Sequence, residues 1–155
     1  MSIANVAMKP LWTSSRLPVA LLIAVGATGL FLALNGIFML VAPKPWYDLV
    51  PGVADTGFFN QHFVRDIGIV QLYLGVAFCV GLFKPRIRLA LWAGATLWLI
   101  AHACFHFWEV AAGICAPSAL LRDFPAVSLP AIIGVIATVW AWRTQGGTSG
   151  SQINA

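Results

Sequence analysis

The sequence predicts an all-α integral membrane protein, a bundle of four transmembrane helices with both termini in the cytoplasm. The chain has 155 residues, of which 60% are hydrophobic and only 9% are charged, whereas soluble domains carry about 25% charged residues. Its mean hydropathy is +0.87. Four apolar runs are separated by short segments rich in proline, glycine or charge, which is the pattern of a multi-pass protein.

The first apolar run, residues 17–42, follows a weakly basic leader at residues 1–16. A secretory signal has an apolar core of only about 7–15 residues, and this run exceeds the ~20 residues that span a bilayer. We therefore expect it to remain as a transmembrane helix. Its one strongly polar residue, Asn35, lies near its C-terminal end.

The three further spans follow from the segments that connect the runs. Segments 43–60 and 113–125 contain prolines and are expected to be loops. Residues 84–88, with the sequence KPRIR, form a tight basic turn that fits an antiparallel helical hairpin. A flexible tail rich in Gly, Ser and Thr is expected at 144–155. The transmembrane domain thus covers 17–143, with spans at 17–42, 62–83, 89–112 and 126–143.

The distribution of charge predicts the orientation. Four spans place both termini on one side, together with six of the nine basic residues: Lys9, Arg16, Lys84, Arg86, Arg88 and Arg143. The positive-inside rule assigns that side to the cytoplasm, here of a bacterial inner membrane. All five acids fall on the outer side: Asp48, Asp55, Asp66, Glu109 and Asp123. Because the basic residues flank apolar runs, the expected partner is the lipid bilayer and not a nucleic acid.

Two clusters of ionisable residues lie inside the predicted helices. His102, His106 and Glu109 are spaced by four and three residues, so they share one helix face. His62 and Asp66 are also four apart, at the outer end of the preceding helix. At ~1.5 Å per residue, His106 and Asp66 should each lie roughly 5–10 Å inside the outer boundary. Ionisable groups at such depth are costly and indicate a functional site.

Five further residues are expected to support these clusters or to pair with them. They lie on the same helix faces, in the same leaflet or in the adjoining segments: Asn35, Arg65, Tyr73, Trp98 and Arg122. Small residues four apart also permit close helix approach, as at Ala77 and Gly81 or at Ala90 and Gly94. The cysteines form no CxxC pair. Cys79 and Cys104 are expected to be small buried residues. Cys115 lies in a loop and can be oxidised if that loop faces an oxidising compartment.

Metal binding is the first interpretation of the two clusters. Imidazole and carboxylate groups suit zinc, copper and iron, and a helix bundle can project them inward. Zinc or copper is the preferred ion, with iron or manganese next. In an oxidoreductase or hydrolase the metal would activate water or bind dioxygen, with Asp66 or Glu109 as acid or base. The predicted ligands suffice for one four-coordinate ion or for two ions: His62, Asp66, His102, His106 and Glu109.

Other interpretations stay open at this point. The clusters can form an ion-paired polar network with Arg65 or Arg122, or they can handle protons or a ligand. The chain can also be a homo-oligomer, or a cofactor-binding or assembly subunit of a larger membrane complex. In that subunit, aromatic residues would pack a pigment, haem or quinone, with His102 or His106 as an axial ligand. No GxSxG, phosphate-loop or dinucleotide motif is present, so the sequence indicates no common soluble chemistry.

The four-span layout resembles the small bacterial DoxX-like membrane proteins over residues 17–143. The resemblance rests on Leu30–Gly36 (LFLALNG) in the first run and Leu74–Ala77 (LGVA) in the second. It implies a four-helix membrane fold, and the group includes subunits of quinone-linked membrane oxidoreductases. Neither residues 60–68 nor the His102, His106 and Glu109 motif is part of the resemblance, and no site residue carries over from it.

Overall fold

The computed structural model describes residues 18–149, with side chains through residue 144. This part of the chain is helical and contains no strand, which confirms the predicted all-α class. A 3-10 turn at Val53–Asp55 lies between the second and third helices. The α-helices are α1 Val19–Val41, α2 Pro43–Leu49, α3 Gln61–Phe83, α4 Arg88–Ala111, α5 Ser118–Asp123 and α6 Ser128–Ser149.

Three of these helices, α1, α3 and α4, are long and apolar enough to cross a membrane, and the apolar part of α6, Ser128–Thr144, is shorter. The four helices begin and end close to the predicted spans, except that α6 continues to Ser149, into the predicted tail. Extending an existing helix adds one backbone hydrogen bond per residue without a new nucleation step. The leader at 1–16 and the tail residues 150–155 lie outside the described residues.

The two segments predicted as loops, 43–60 and 113–125, both contain helical turns. α2 begins at Pro43, since the missing N–H of proline costs nothing in a first helical turn. Within α2, Lys44 Nζ lies 2.6 Å from Asp48 Oδ1, one turn further on. The proline content that breaks a transmembrane span therefore also starts a short helix.

α1 and α3 pack antiparallel at backbone contact distance. A Cβ added at Gly36 would lie 2.6 Å from the carbonyl oxygen of Gly68. A Cβ added at Gly75 would lie 2.6 Å from the carbonyl oxygen of Gly29. These separations are too short for any side chain, so the four glycines set the rotation of each helix against the other.

The remaining long helices complete one core. α4 packs antiparallel on α6, where the Oγ1 atoms of Thr96 and Thr138 lie 3.2 Å apart. α3 reaches α4 through Phe78 and Trp92, both fully buried. The indole Nε1 of Trp92 donates to the Phe78 carbonyl over 3.1 Å.

A groove of about 450 Å³ separates α3 from α4 over the middle of both helices. We call it the α3–α4 groove; its walls include Tyr73, Ala77, Ala90, Leu91, Gly94 and Trp98. An added Cβ at Gly94 would meet nothing within 4 Å. The spacing of Ala90 and Gly94 would permit a close helix approach, but here both residues are exposed and line the groove.

The antiparallel order gives the bundle two different ends. At one end α1 and α4 finish while α3 and α6 begin, and the short helices α2 and α5 adjoin it. We call this the histidine end. At the other end α3 turns into α4 through residues 84–87, and we call this the hairpin end.

Candidate functional site

The two histidines of α4 lie next to each other at the histidine end. Their ring centroids are 4.8 Å apart, as expected for side chains one helical turn apart. The His102 ring also stacks on Trp98, with centroids 4.9 Å apart and 21° between the planes. Both imidazoles are partly buried, so the shared face predicted from the sequence lies partly inside the protein.

His106 reaches across to α5. Its Nδ1 lies 3.2 Å from Oδ2 of Asp123, and both side chains are mostly shielded from solvent. Asp123 was not among the predicted site residues, although charge counting places it on the same side as the histidines. The signal that could have found it is its position just before the fourth span, at the depth where α4 ends.

Arg122 holds the Asp123 carboxylate from its other side. Arg122 Nε donates to Asp123 Oδ1 over 2.7 Å, and Nη2 donates to Oδ2 over 3.2 Å. Nη1 of Arg122 also lies 3.7 Å from Oδ2 of Asp55 in the 3-10 turn. The guanidinium packs directly on Gly52, whose φ of +83° and lack of a side chain admit it.

The charges on α5 stabilise each other. The hydrogen bond from Arg122 to Asp123 is the largest cause of a raised pKa for the Arg122 guanidinium, helped by the charges of Asp123 and Asp55. Burial by itself would raise the pKa of Asp123, but the hydrogen bond and charge of Arg122, together with His106, hold that pKa below its ordinary value. Asp123 is therefore an ionised partner for His106 near neutral pH. We call His102, His106, Asp123, Arg122 and Asp55 the polar chain.

The cluster predicted on α3 is exposed. His62 Nε2 and Asp66 Oδ2 lie 3.2 Å apart, and their side chains are 88% and 55% exposed. They contact each other, and neither has a hydrogen bond or ion pair to α4 among the described residues. Viewed down the axis of α3, at ~100° per residue, their side chains point roughly 120–160° away from the direction of Gly68, which contacts α1. The pair therefore does not face α1.

The other predicted residues have separate roles. Asn35 accepts a hydrogen bond from Trp46 Nε1 over 2.9 Å, which ties α2 to α1. Arg65 Nε donates to the Leu40 carbonyl over 3.2 Å at the end of α1.

Glu109 is half-buried, and its carboxylate has no ion pair or hydrogen bond within the described side chains. Tyr73 and Trp98 line the α3–α4 groove.

The donor geometry does not fit the predicted metal site. Among the described residues, no group of three or more His, Cys, Asp or Glu side chains is arranged to hold one ion. Structural and catalytic zinc sites use three or four protein ligands, whereas His106 Nδ1 already faces Asp123 and His62 pairs with Asp66. A site for zinc, copper, iron or manganese therefore stays a sequence prediction without support from these contacts.

The three cysteines are all free thiols, and Cys104 is exposed on α4. The expectation of a buried Cys104 is therefore wrong, because it lies on a face of α4 that no other helix covers. Cys79 and Cys115 are partly buried, and the oxidation of Cys115 stays a prediction.

No protein-family model, curated protein or solved structure matches this chain. The resemblance to the DoxX-like group therefore also stays a prediction, and function has to be inferred from the site itself.

Proposed function

We propose that this chain is a multi-pass protein of a bacterial inner membrane that binds a quinone-class carrier in the α3–α4 groove. In this role it is a cofactor-binding subunit of a larger membrane complex. The observation that carries the proposal is a pair of unpartnered donors on the two walls of one apolar groove. Tyr73 lines it from α3 and Trp98 from α4, and neither side chain has a hydrogen-bond partner among the described residues.

The position of these two donors along their helices points to a ligand that accepts hydrogen bonds. Tyr73 and Trp98 lie near the middle of α3 and α4, where lipid chains offer no acceptor and an unpaired polar group is costly. The remaining walls named above are Ala, Gly and Leu. A fitting ligand therefore has acceptor oxygens on a compact head and an otherwise apolar body. The carbonyl oxygens and isoprenoid tail of a quinone match both requirements, and about 450 Å³ suits a single ring.

In the same proposal, the histidines of the polar chain carry protons for this ligand. His102 stacks on Trp98, which lines the groove, and His106 joins His102 to the ionised Asp123 near the surface. Reduction of a quinone to a quinol takes up two electrons and two protons. In our proposal a partner subunit supplies the electrons, and the imidazoles pass protons between the outer surface and the ring oxygens.

The orientation of the proposal follows the positive-inside rule. The basic hairpin end faces the cytoplasm together with the termini, and the acidic histidine end faces outward. The antiparallel order of α1, α3, α4 and α6 supports this arrangement because it keeps Lys84, Arg86 and Arg88 away from all five acids.

The test is binding of a short-tailed ubiquinone analogue to the detergent-purified protein, measured by isothermal titration calorimetry. We expect saturable binding to the wild type and a roughly three- to tenfold weaker affinity for Tyr73→Phe, which removes one hydrogen bond. Gly94→Leu should abolish binding, since its side chain projects into open space in the groove and leaves the packing intact. Ala101→Leu, an exposed position of α4 outside the groove, is the matched control. Equal binding by wild type and Gly94→Leu, or no binding by the wild type, would contradict the proposal.

A metal-dependent oxidoreductase or hydrolase is the second candidate, favoured only by the closeness of the His102 and His106 rings. Elemental analysis of protein purified without chelators separates the two candidates. Stoichiometric zinc, copper, iron or manganese that is lost in the His102→Ala, His106→Ala double variant would favour the metal site over a proton route.

A further inference from the structure

The hairpin end carries cations that no acid neutralises. Lys84, Arg86 and Arg143 are exposed there, and none of them forms an ion pair among the described side chains. All five acids belong to the other half of the bundle: Asp48, Asp55, Asp66, Glu109 and Asp123. At the histidine end, by contrast, the cations Lys44 and Arg122 both contact carboxylates. The hairpin end therefore has positive charge available to an outside partner.

Arg88 does not add to this available positive charge, because its guanidinium already has partners inside the protein. It is only 8% exposed, and its Nε donates to the Gly81 carbonyl over 2.7 Å while Nη2 donates to the Leu82 carbonyl over 3.0 Å. Its guanidinium also lies 5.2 Å from the Trp92 ring and 5.5 Å from the Trp140 ring. These contacts cap the C-terminal end of α3 and hold the turn in one shape.

Apolar surface adjoins the free cations. A pocket of about 380 Å³ is lined by Phe83, Lys84, Pro85, Arg86 and Ile87. Phe83 and Ile87 are exposed, and the lining that they share with Lys84 and Arg86 is almost entirely apolar, so the two cations adjoin this apolar surface with their aliphatic stems. A soluble anion would use only the cations, whereas a lipid with an anionic head and acyl chains would use the whole lining.

We infer that the hairpin turn binds an anionic phospholipid, with the lipid phosphate at Lys84 and Arg86 and an acyl chain against Phe83 and Ile87. This inference rests on membrane insertion but not on the α3–α4 groove or on quinone binding. It follows the general attraction between juxtamembrane basic residues and anionic lipids of the cytoplasmic leaflet.

Native mass spectrometry of protein released from micelles with equal phosphatidylglycerol and phosphatidylcholine tests the inference. We expect the wild type to retain phosphatidylglycerol preferentially. The preference should fall by about fivefold for each cation removed in Lys84→Gln and Arg86→Gln, and further in the double variant. Phe83→Ala should reduce retention of both lipids, since it removes apolar contact from an exposed side chain without opening the core.

Lys44→Gln is the matched control, because Lys44 is exposed but paired with Asp48 at the other end. It should leave the lipid preference unchanged, and circular dichroism should show the same helix content in every variant. An unselective wild type, or an equal loss in Lys44→Gln, would overturn the inference. Displacement of the lipid by millimolar inorganic phosphate would also overturn it, since the site would then bind a free anion.

Discussion

Each end of the bundle holds an arginine, exposed at the histidine end and buried at the hairpin end, and the two ends neutralise it by different means. At the histidine end Arg122 contacts the carboxylates of Asp123 and Asp55, and the network joins α4, α5 and the 3-10 turn. At the hairpin end Arg88 has backbone carbonyls and two indole faces as its partners. Carboxylates and imidazoles titrate, whereas carbonyls and indoles do not. We therefore expect the contacts of Arg122 to depend on pH, whereas the partners of Arg88 do not titrate.

The largest expected effect lies at the hairpin end. Arg88→Ala removes two charge-assisted hydrogen bonds and two cation–π contacts from a buried site, so the free energy of unfolding should fall by about 3 kcal/mol. Arg88→Lys should recover only part of this loss, because lysine lacks the planar fork and stacks less well. Unfolding in mixed micelles with increasing SDS measures both. Full recovery by lysine would mean that charge alone matters here.

A smaller effect is expected at Asp123, where the partners are less buried. Asp123→Asn keeps the shape of the side chain but weakens the contacts to Arg122 and His106, so we expect a loss of about 1 kcal/mol at neutral pH. The same SDS titration measures this loss. A loss as large as that of Arg88→Ala would break the contrast between the two ends.

The pH dependence at Asp123 has a definite sign. Its pKa is lowered in the folded protein, so the pairing stabilises the fold fully above the unfolded value of about 3.9. That contribution is lost as the pH falls through the lowered folded value. Wild type should therefore lose more stability than Asp123→Asn between about pH 5 and the acid limit of the assay. If the free energy of unfolding fell equally with pH in the two proteins, the titration of Asp123 would not be coupled to folding.

The smallest effect is expected at Glu109, which belongs to the same end but not to the polar chain. Its carboxylate has no partner among the described side chains, so Glu109→Gln should change the free energy of unfolding by less than about 0.5 kcal/mol. The ubiquinone analogue should also bind this variant as it binds the wild type. A large change in either measurement would add Glu109 to the site.

Hydropathy and helix periodicity predicted much of this molecule. The long helices lie close to the apolar runs, and His102 and His106 share a face because a spacing of four residues is one turn. The partners of those histidines were not predictable in the same way. Asp123 meets His106 only because a segment expected to be a loop folds as α5. His62 and Asp66 lie at the same end of the bundle as the histidines of α4, but they pair with each other and stay exposed.

The sequence by itself determined which long apolar segments are helical, in what order they run and how far along its helix each polar residue lies. Position along a helix axis depends only on the number of residues, because each residue adds a constant ~1.5 Å. The tertiary structure decided which residues at the same level of the bundle meet, because that depends on the rotation of each helix about its own axis. Here the backbone contacts of Gly36 with Gly68 and of Gly29 with Gly75 set that rotation for α1 and α3. They turn His62 and Asp66 away from α1, and both side chains stay exposed, whereas His106 of α4 pairs with Asp123 of α5.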